Sequence, residues 1–225
     1  MTHLTIATAG HIDHGKSALV EALTGSNPDR LPEERARGIS IELGFAHTTV
    51  DGLTLSFVDV PGHERFVRTM LAGVGGIDAV LLVVAADESV MPQTREHFDI
   101  CRLLDIRSGV IALTRCDLAD ATMQDVAESD VQDLVAGTAL AAAPIVRVSA
   151  RTGEGIEALR SALVRCASTR RVRDADVPAR LPIDRAFSMR GFGTVVTGTM
   201  WSGTMAPEDE LTMWPSGHRL SLIHI

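Results

Sequence analysis

The stretch GHIDHGKS, Gly10 to Ser17, constrains this chain more than any other feature of its sequence. It matches the phosphate-binding pattern GxxxxGK[ST], in which glycines let backbone N–H groups converge on anionic oxygens. A short apolar run precedes it, and a run with helical spacing follows it, so the context is strand, loop and helix. This context predicts a phosphate-binding loop, in which Lys16 would contact the outer phosphates and the Ser17 hydroxyl would bind Mg²⁺. The positive end of the following helix would add to the attraction.

Strand-like apolar runs alternate with helical patterns from residue 4 to about residue 166. Such alternation predicts an α/β fold, a mostly parallel sheet with helices on both faces and a ligand at the carboxyl ends of the strands. The predicted strands are Leu4–Ala9, Ile41–Val50, Leu53–Val58, Ala79–Ala86, Gly109–Leu113 and Pro144–Val148, with a hairpin turn at Asp51-Gly52. The predicted helices are Lys16–Leu23, Glu64–Leu71, Pro92–Leu104, Gln124–Leu140 and Ile156–Cys166.

The character of the sequence changes after these elements. We expect a P-loop domain over residues 1–167 and a polar, arginine-rich linker over residues 168–180. Short, glycine-containing strands such as GTVVTGTM then predict an antiparallel β-barrel over residues 181–225. This last segment is too short to close a barrel of several strands, so we expect an incomplete one.

Composition excludes several classes of function. A net charge of −8 argues against a chain-wide surface for RNA or DNA, and the absence of Tyr argues against base-stacking platforms. The three cysteines lie far apart, without metal spacing or a disulfide framework, which fits a reducing, cytoplasmic setting. We see no signal-peptide pattern and no apolar run long enough for a bilayer, so no membrane association is expected.

The motif DVPGHE, Asp59 to Glu64, follows the third predicted strand. A carboxylate at that strand end can hold Mg²⁺ through water, and the N–H of Gly62 can approach a γ-phosphate because glycine has no side chain. His63, beside a γ-phosphate, can orient the attacking water. The alternative is an ordinary Pro-Gly turn with a solvated histidine.

The segment RGISIELGFA, Arg37 to Ala46, follows a polar stretch that contains two prolines. Such a loop can be ordered by a ligand and released without it. Ser40 would offer a hydroxyl to Mg²⁺ and a backbone N–H to a γ-phosphate. Alternatively, Ser40 is only the polar residue before a strand, and the charged run PEERAR is a solvated face.

The motif TRCD, residues 114–117, follows the fifth predicted strand. The carboxylate of Asp117 can accept the ring N–H and the exocyclic amine of guanine, a pair that adenine does not offer. Losing that pairing would leave a buried carboxylate unsatisfied, which makes the choice of base selective. The stem of Arg115 can lie flat on the base. The alternative role for Asp117 is a helix N-cap.

The motif SARTG, residues 149–153, closes the sixth predicted strand. Its backbone N–H groups, at Ser149, Ala150 and Arg151, can reach the carbonyl oxygen of guanine. Alone it is indistinguishable from an ordinary strand-to-helix turn. Five such elements in the expected order are much more specific than any one of them.

The pair His11 and His14 in HIDH has a spacing that zinc sites also use. Both histidines lie inside the phosphate-binding pattern, and further ligands are missing nearby. We therefore do not expect these histidines to bind a metal.

In their order, these five motifs resemble those of the translational GTPases. The stretches LTGSNPDRLPEERARGISIELGFA, DVPGHERFVRTMLAGVGGID and IDRAFSMRGFGTVVTGT are similar to the selenocysteine-specific branch of that family. The resemblance runs from about Leu4 to Trp214 and implies an enzyme that binds GTP and hydrolyses it to GDP and phosphate. General elongation factors of the Tu type and the GTPase subunit of sulfate adenylylation are the related alternatives.

The resemblance also implies a role for each residue of the site. His63 would orient the attacking water, and the apolar pair Ile12 and Ile39 would keep it away until the ribosome triggers hydrolysis. The implied residues at Mg²⁺ are Ser17 and Ser40, with Asp59 behind a water molecule. The implied residues around the phosphates are Asp13, His14, Gly15, Lys16, Ser17 and Ala18.

The sequence departs from the family pattern in three places. Ser40 stands where most of the family has threonine, which preserves the hydroxyl and loses a methyl group. Thr114 and Arg115 replace the usual Asn and Lys, so selection of guanine depends more on Asp117. The chain also stops within its second domain, which we expect to reflect truncation, with LSLIHI as a foreign tail.

The partners implied by the resemblance belong to translation. The full factor would act as a monomer that carries selenocysteyl-tRNA to the ribosome, and would contact a messenger RNA element only through C-terminal domains beyond this chain.

Arg185, in the opening strand of the second domain, would supply positive charge to the anionic selenol of the aminoacyl group. Alternatively, Arg185 pairs with Asp184 or points into water.

Overall fold

A computed structural model describes residues 2–28, 44–59, 76–168, 176–191, 193–198 and 200–221. The chain divides into two compact units, Met1–Arg171 and Val172–Ile225. The first unit carries every loop discussed below as a candidate nucleotide site.

The first unit is built on a six-stranded sheet with the strand order β2-β3-β1-β4-β5-β6. Strand β1 lies parallel to β3 and β4, and β5 lies parallel to β4 and β6, while β2 is antiparallel to β3. The strands are β1 Thr2–Ala9, β2 Gly44–Val50, β3 Leu53–Asp59, β4 Ala79–Ala85, β5 Gly109–Thr114 and β6 Ile145–Arg147. The predicted α/β fold with a mostly parallel sheet is therefore confirmed.

Four helices cover the two faces of this sheet in the described part of the unit. They are α1 Lys16–Thr24, α2 Pro92–Leu103, α3 Ala121–Val135 and α4 Ile156–Ser168. Alternate residues of β4 point to opposite faces, so Leu81 packs in the apolar cluster of α1 and α4, and Leu82 packs in that of α2 and α3. Because both faces are covered, β4 is apolar along its whole length.

The predicted bounds of one helix and one strand are wrong. The helix predicted over Gln124–Leu140 begins at Ala121, because the Asp120 side chain accepts the N–H of Met123 (2.9 Å) and caps it. It ends at Val135, two residues before Gly137 takes a positive φ of 69°. The strand predicted over Pro144–Val148 is limited to the three residues of β6.

The hairpin predicted at Asp51-Gly52 is confirmed, since both residues have positive φ, 50° and 79°, between β2 and β3. The predicted helix Glu64–Leu71 and the first three residues of the predicted strand Ile41–Val50 lie outside the described residues.

The second unit contains two antiparallel hairpins among its described residues. Strand β7 (Ile183–Met189) pairs with β8 (Gly193–Gly198), and β9 (Glu210–Met213) pairs with β10 (His218–Ser221). The antiparallel character predicted for this part of the chain is confirmed. In the described part of the whole chain, every helix is too short or too polar to cross a bilayer.

Candidate nucleotide site

The loop between β1 and α1 begins at a glycine that no other residue can replace without a clash. Gly10 has a φ of +145°, and a Cβ at this position would lie 2.2 Å from the carbonyl oxygen of Val83 in β4. The loop therefore lies directly on the central strand of the sheet. This close approach fixes where the predicted phosphate-binding loop, Gly10 to Ser17, leaves the sheet.

Lys16 lies buried at the start of α1, with a 6% exposed side chain. Its ammonium group donates to the carbonyl oxygens of Gly10 (3.2 Å) and His11 (2.7 Å). The side chain thus folds back across the loop that the sequence predicts to bind phosphate. Ala18 lies exposed in the first turn of the same helix, beyond the loop.

A buried carboxylate joins the end of β3 to both sides of the loop. Asp59 is fully buried, and its Oδ1 accepts from the Thr8 hydroxyl while its Oδ2 accepts from the Ser17 hydroxyl, both at 2.6 Å. Ser17 and Asp59, which the sequence predicts at one metal site, therefore lie in direct contact. A hydroxyl beside a carboxylate is a donor set of hard oxygens, the kind that Mg²⁺ prefers.

Two side chains of α2, which the sequence analysis did not predict as site residues, accept hydrogen bonds from the backbone of the loop. The N–H of Gly10 donates to Nδ1 of His97 (3.2 Å), and the N–H of Ile12 donates to Oε1 of Gln93 (3.0 Å). Gln93 and His97 lie one turn apart on α2, so both side chains leave the same face of that helix. The only sequence signal was this pair of polar residues at helical spacing.

The histidines of the loop are held in their neutral form. Burial, helped by the nearby His11 and by the charge of Lys16, lowers the pKa of His14 to about 4, and its Nδ1 accepts the N–H of Ala85 (3.2 Å). The rings of His11 and His14 meet edge to face with centroids 5.1 Å apart. Both rings therefore pack as uncharged parts of the loop.

The unusual residues of TRCD join their loop to the phosphate loop. The Thr114 hydroxyl donates to the carbonyl oxygen of His14 (2.7 Å), across 100 residues of sequence. The Arg115 guanidinium donates to the carbonyl oxygen of Asp13 and pairs with Glu88 (2.8 Å) and Asp87 (3.4 Å). A planar guanidinium can serve these acceptors together, which a single ammonium does less well. The Arg115 stem as a cover for the base stays a prediction.

The predicted base-reading carboxylate belongs to a small polar cluster between TRCD and SARTG. Asp117 pairs with the guanidinium of Arg151, with Oδ2 2.8 Å from Nε and 2.6 Å from the nearer terminal nitrogen. A hydrogen bond from Ser149, and then the contact with Arg151, hold the pKa of Asp117 below its usual value. Asp117 is therefore ionised at neutral pH. It is not a helix N-cap, because Asp120 caps α3.

Most of the predicted site residues are among those that the structure describes. They bring together Ile12–Ala18, Asp59, Thr114, Arg115, Asp117 and Ser149–Arg151 at the carboxyl ends of β1, β3, β5 and β6. The predicted site residues that lie outside the described residues are Ile39, Ser40, Gly62 and His63. Arg185 lies in β7, but its side chain is also outside the description.

Comparison with known proteins agrees with this geometry. The family described as elongation factor Tu GTP binding domain matches residues 1–169. The chain belongs to this family. Its predicted likeness to the selenocysteine-specific branch is confirmed, because the chain is 52% identical to the selenocysteine-specific elongation factor of Desulfomicrobium baculatum and 46% identical to that of Escherichia coli. Each alignment covers 95% of this chain and 34% of the relative. The chain thus spans about a third of the length of these relatives.

Solved structures of this GTP-binding-domain family show the same fold. A bacterial selenocysteine-specific elongation factor superposes with a TM-score of 0.93 at 36% identity, over 98% of this chain and 38% of the other. The elongation factor SelB of Methanococcus maripaludis, in complex with the GTP analogue GppNHp, gives a TM-score of 0.85 at 28% identity, over 97% and 46%. An elongation factor Tu of Streptomyces avermitilis is less similar in sequence, at 35% identity over 93% of this chain and 59% of its own length.

Substitution of Thr8 by Val tests the buried carboxylate. The change removes the hydroxyl that donates to Asp59 and leaves one buried oxygen of a charged group with fewer partners. We expect the free energy of unfolding to fall by about 1.5–3 kcal/mol. Far-ultraviolet circular dichroism during chemical unfolding measures this, because all the described helices belong to the first unit.

The matched control is Thr5→Val on the same strand. Thr5 is also buried, but its hydroxyl has no hydrogen-bond partner among the described residues. This variant should be as stable as the wild type or slightly more stable, because a buried hydroxyl without a partner is unfavourable. An equal loss for the two variants would contradict a specific role for the Thr8–Asp59 contact.

Proposed function

We propose that the first unit binds guanine nucleotides and hydrolyses GTP. The observation that carries this proposal is the linkage of the phosphate loop to the base loop, in which Thr114 and Arg115 bond the main chain of His14 and Asp13. This linkage sets the distance between the predicted phosphate contacts and Asp117. One nucleotide can then lie along the carboxyl edge of the sheet, where ligands of open α/β sheets bind.

The phosphate end of the proposed site combines a cation with a helix N-terminus. Lys16 would exchange its contacts with the carbonyl oxygens of Gly10 and His11 for the outer phosphates. The residues present fit Mg²⁺, since the hydroxyl of the half-buried Ser17 and the carboxylate of the buried Asp59 meet at 2.6 Å. Ser17 would ligate the ion directly, with Ser40 as a second hydroxyl, and Asp59 would hold it through water. Bound there, Mg²⁺ neutralises charge that develops on the phosphates.

The base end of the proposed site selects guanine. Asp117 is ionised and can accept two N–H groups at once, which guanine offers and adenine does not. In the described structure one oxygen of Asp117 is engaged by Arg151, an arginine with a 72% exposed side chain. Because Arg151 is largely exposed, it can yield this oxygen to the base. The N–H groups of Ala150 and Arg151 would then reach the carbonyl oxygen of guanine, whereas the predicted contact from Ser149 is not available, since its N–H donates to the carbonyl oxygen of Glu154 (3.0 Å).

Hydrolysis would depend on residues known here only from the sequence. His63 would orient the attacking water, and Gly62 would donate its N–H to the γ-phosphate. Ile12 and Ile39 would form the apolar gate that holds His63 back. Of these two gate residues, the structure describes Ile12. Its N–H donates to Oε1 of Gln93, and this hydrogen bond fixes the position of Ile12 in the loop.

We propose further that the whole protein delivers selenocysteyl-tRNA to the ribosome in its GTP state, in the cytoplasm and as a monomer. The support is the identity of 52% and 46% with selenocysteine-specific elongation factors, against 35% with an elongation factor Tu. Contact with a messenger RNA element would belong to parts of the protein beyond this chain. A selenol is more acidic than a thiol or an alcohol, so Arg185 would favour selenocysteine over serine by charge.

Substitution of Asp117 by Asn tests the choice of base. The amide replaces one acceptor by a donor, so affinity for GDP should fall by about 30-fold or more, and affinity for xanthosine diphosphate should rise. Calorimetric titration of the 225-residue chain measures both. Asp125→Asn is the control, because Asp125 pairs with Arg147 on the surface of α3 and should leave both affinities unchanged. Wild-type chain that binds ADP as tightly as GDP would refute selection of guanine.

Substitution of Arg185 by Met in the full-length protein tests the proposed cargo. With GTP present, affinity for selenocysteyl-tRNA should fall by about 10-fold, which corresponds to roughly 1.4 kcal/mol of lost charge pairing. Affinity for seryl-tRNA should stay nearly constant, because a neutral hydroxyl does not use the charge. Equal losses for the two tRNAs would assign Arg185 to the scaffold, and equal wild-type affinities for them would refute the selenocysteine assignment itself.

A further inference from the structure

The inner face of α2 offers two acceptors to the backbone of the phosphate loop. His97 is 1% exposed, and its Nδ1 accepts the N–H of Gly10 at 3.2 Å. One turn earlier, Oε1 of Gln93 accepts the N–H of Ile12 at 3.0 Å. These contacts join residues 87 and 81 positions apart in the chain. They explain why a helix outside the five nucleotide motifs lies against the loop.

The contact at Gly10 exists for only one form of the imidazole. A backbone N–H donates, so Nδ1 of His97 must carry a lone pair, and the ring proton must lie on Nε2. An imidazolium carries a proton on both nitrogens, and its Nδ1–H would face the N–H of Gly10. Protonation of His97 therefore breaks this hydrogen bond and leaves two donors in opposition.

The surroundings of His97 keep it neutral. Burial, with smaller contributions from the neighbouring charges of Lys16 and His11, lowers its pKa to about 4. Lys16 faces His97 from the start of α1, and His11 faces it from the loop. His11 itself has a pKa below its ordinary value, mainly through burial.

The position of Gly10, which His97 holds, in turn affects the position of Lys16. Its N–H side is held by His97, its Cα lies against the carbonyl oxygen of Val83, and its own carbonyl oxygen accepts from the Lys16 ammonium (3.2 Å). A displacement of Gly10 therefore displaces one of the two carbonyl groups that hold Lys16 in place.

We propose that His97, as a neutral imidazole, is a positioning residue that fixes Gly10, and through it Lys16, for binding of the nucleotide phosphates. This inference rests on the proposed binding of guanine nucleotides. His97 touches the loop and not the reacting atoms, so its effect falls on nucleotide affinity and on the dependence of loop stability on pH.

Three variants at buried positions of α2 test this role. His97→Asn keeps an acceptor near the position of Nδ1 and does not titrate, whereas His97→Leu keeps bulk and loses the acceptor. Thr94→Val is the matched control, because Thr94 is buried on the same helix and its hydroxyl has no partner among the described residues. At pH 7.5 we expect His97→Leu to weaken GDP binding by about 10-fold or more, and His97→Asn and Thr94→Val to stay within about 3-fold of wild type.

The pH dependence of unfolding gives a second measurement. The folded pKa of His97 is about 4 and the unfolded value is about 6.5, so the unfolded state binds one more proton between these values. Stability is therefore complete above about pH 6.5 and is lost as pH falls towards 4. From pH 7 to pH 5, the unfolding constant of the wild type should rise about 20-fold more than that of His97→Asn. His14 titrates in both proteins and cancels in this comparison.

The outcomes separate this inference from the proposed function. Wild-type chain that does not bind GDP refutes nucleotide binding, while the pH comparison still tests His97. If GDP binds but His97→Leu binds it as tightly as wild type, His97 does not position the loop. Should the Leu variant fail to fold, the equal pH slopes of wild type and His97→Asn would overturn the inference, and unequal slopes together with retained GDP binding by the Asn variant would support it.

Discussion

The close approach of Gly10 to β4 is the constraint on which the site depends. With only hydrogen in place of a Cβ, the chain passes the carbonyl oxygen of Val83 and turns at once into the loop that precedes α1. The loop is then held from three directions, by His97 on α2, by Asp59 at the end of β3 and by Thr114 at the end of β5. Because rigid strands and helices carry these contacts, the loop geometry is largely set before a ligand arrives.

Buried polar groups are concentrated at the carboxyl ends of the strands, whereas most of the remaining core is apolar. Most of the buried polar and charged side chains in the described residues lie in these loops or in the strand ends and helices next to them, among them Thr8, His14, Lys16, Asp59 and His97. A buried charge is costly unless it is paired, and here the Asp59 carboxylate receives two hydroxyls and the Lys16 ammonium meets two carbonyl groups. Anionic phosphate with Mg²⁺ would replace some of these contacts. The charged groups that the proposed ligand would contact are therefore already in place, each paired with groups of the protein.

The sequence predicted the alternating architecture and the loops that meet at the site, because periodicity and glycine patterns are local properties. It misplaced α3, since a cap at Asp120 and a positive φ at Gly137 outweighed a helical pattern that runs on to Leu140. It also missed Gln93 and His97, whose partners lie more than 80 residues away. The pairing of Asp117 with Arg151 was equally out of reach, because sequence order shows which loops follow strands and not which side chains touch.

The central claim is that three separated loops form one nucleotide site, and hydrogen–deuterium exchange of the 225-residue chain tests it most directly. Addition of GDP and Mg²⁺ should slow exchange together in peptides that cover residues 10–18, 114–117 and 149–153. Peptides at the opposite, amino ends of β5 and β6, over residues 104–108 and 136–144, should exchange at unchanged rates. Protection confined to one of the three loops, or found mainly at the opposite edge, would contradict the account.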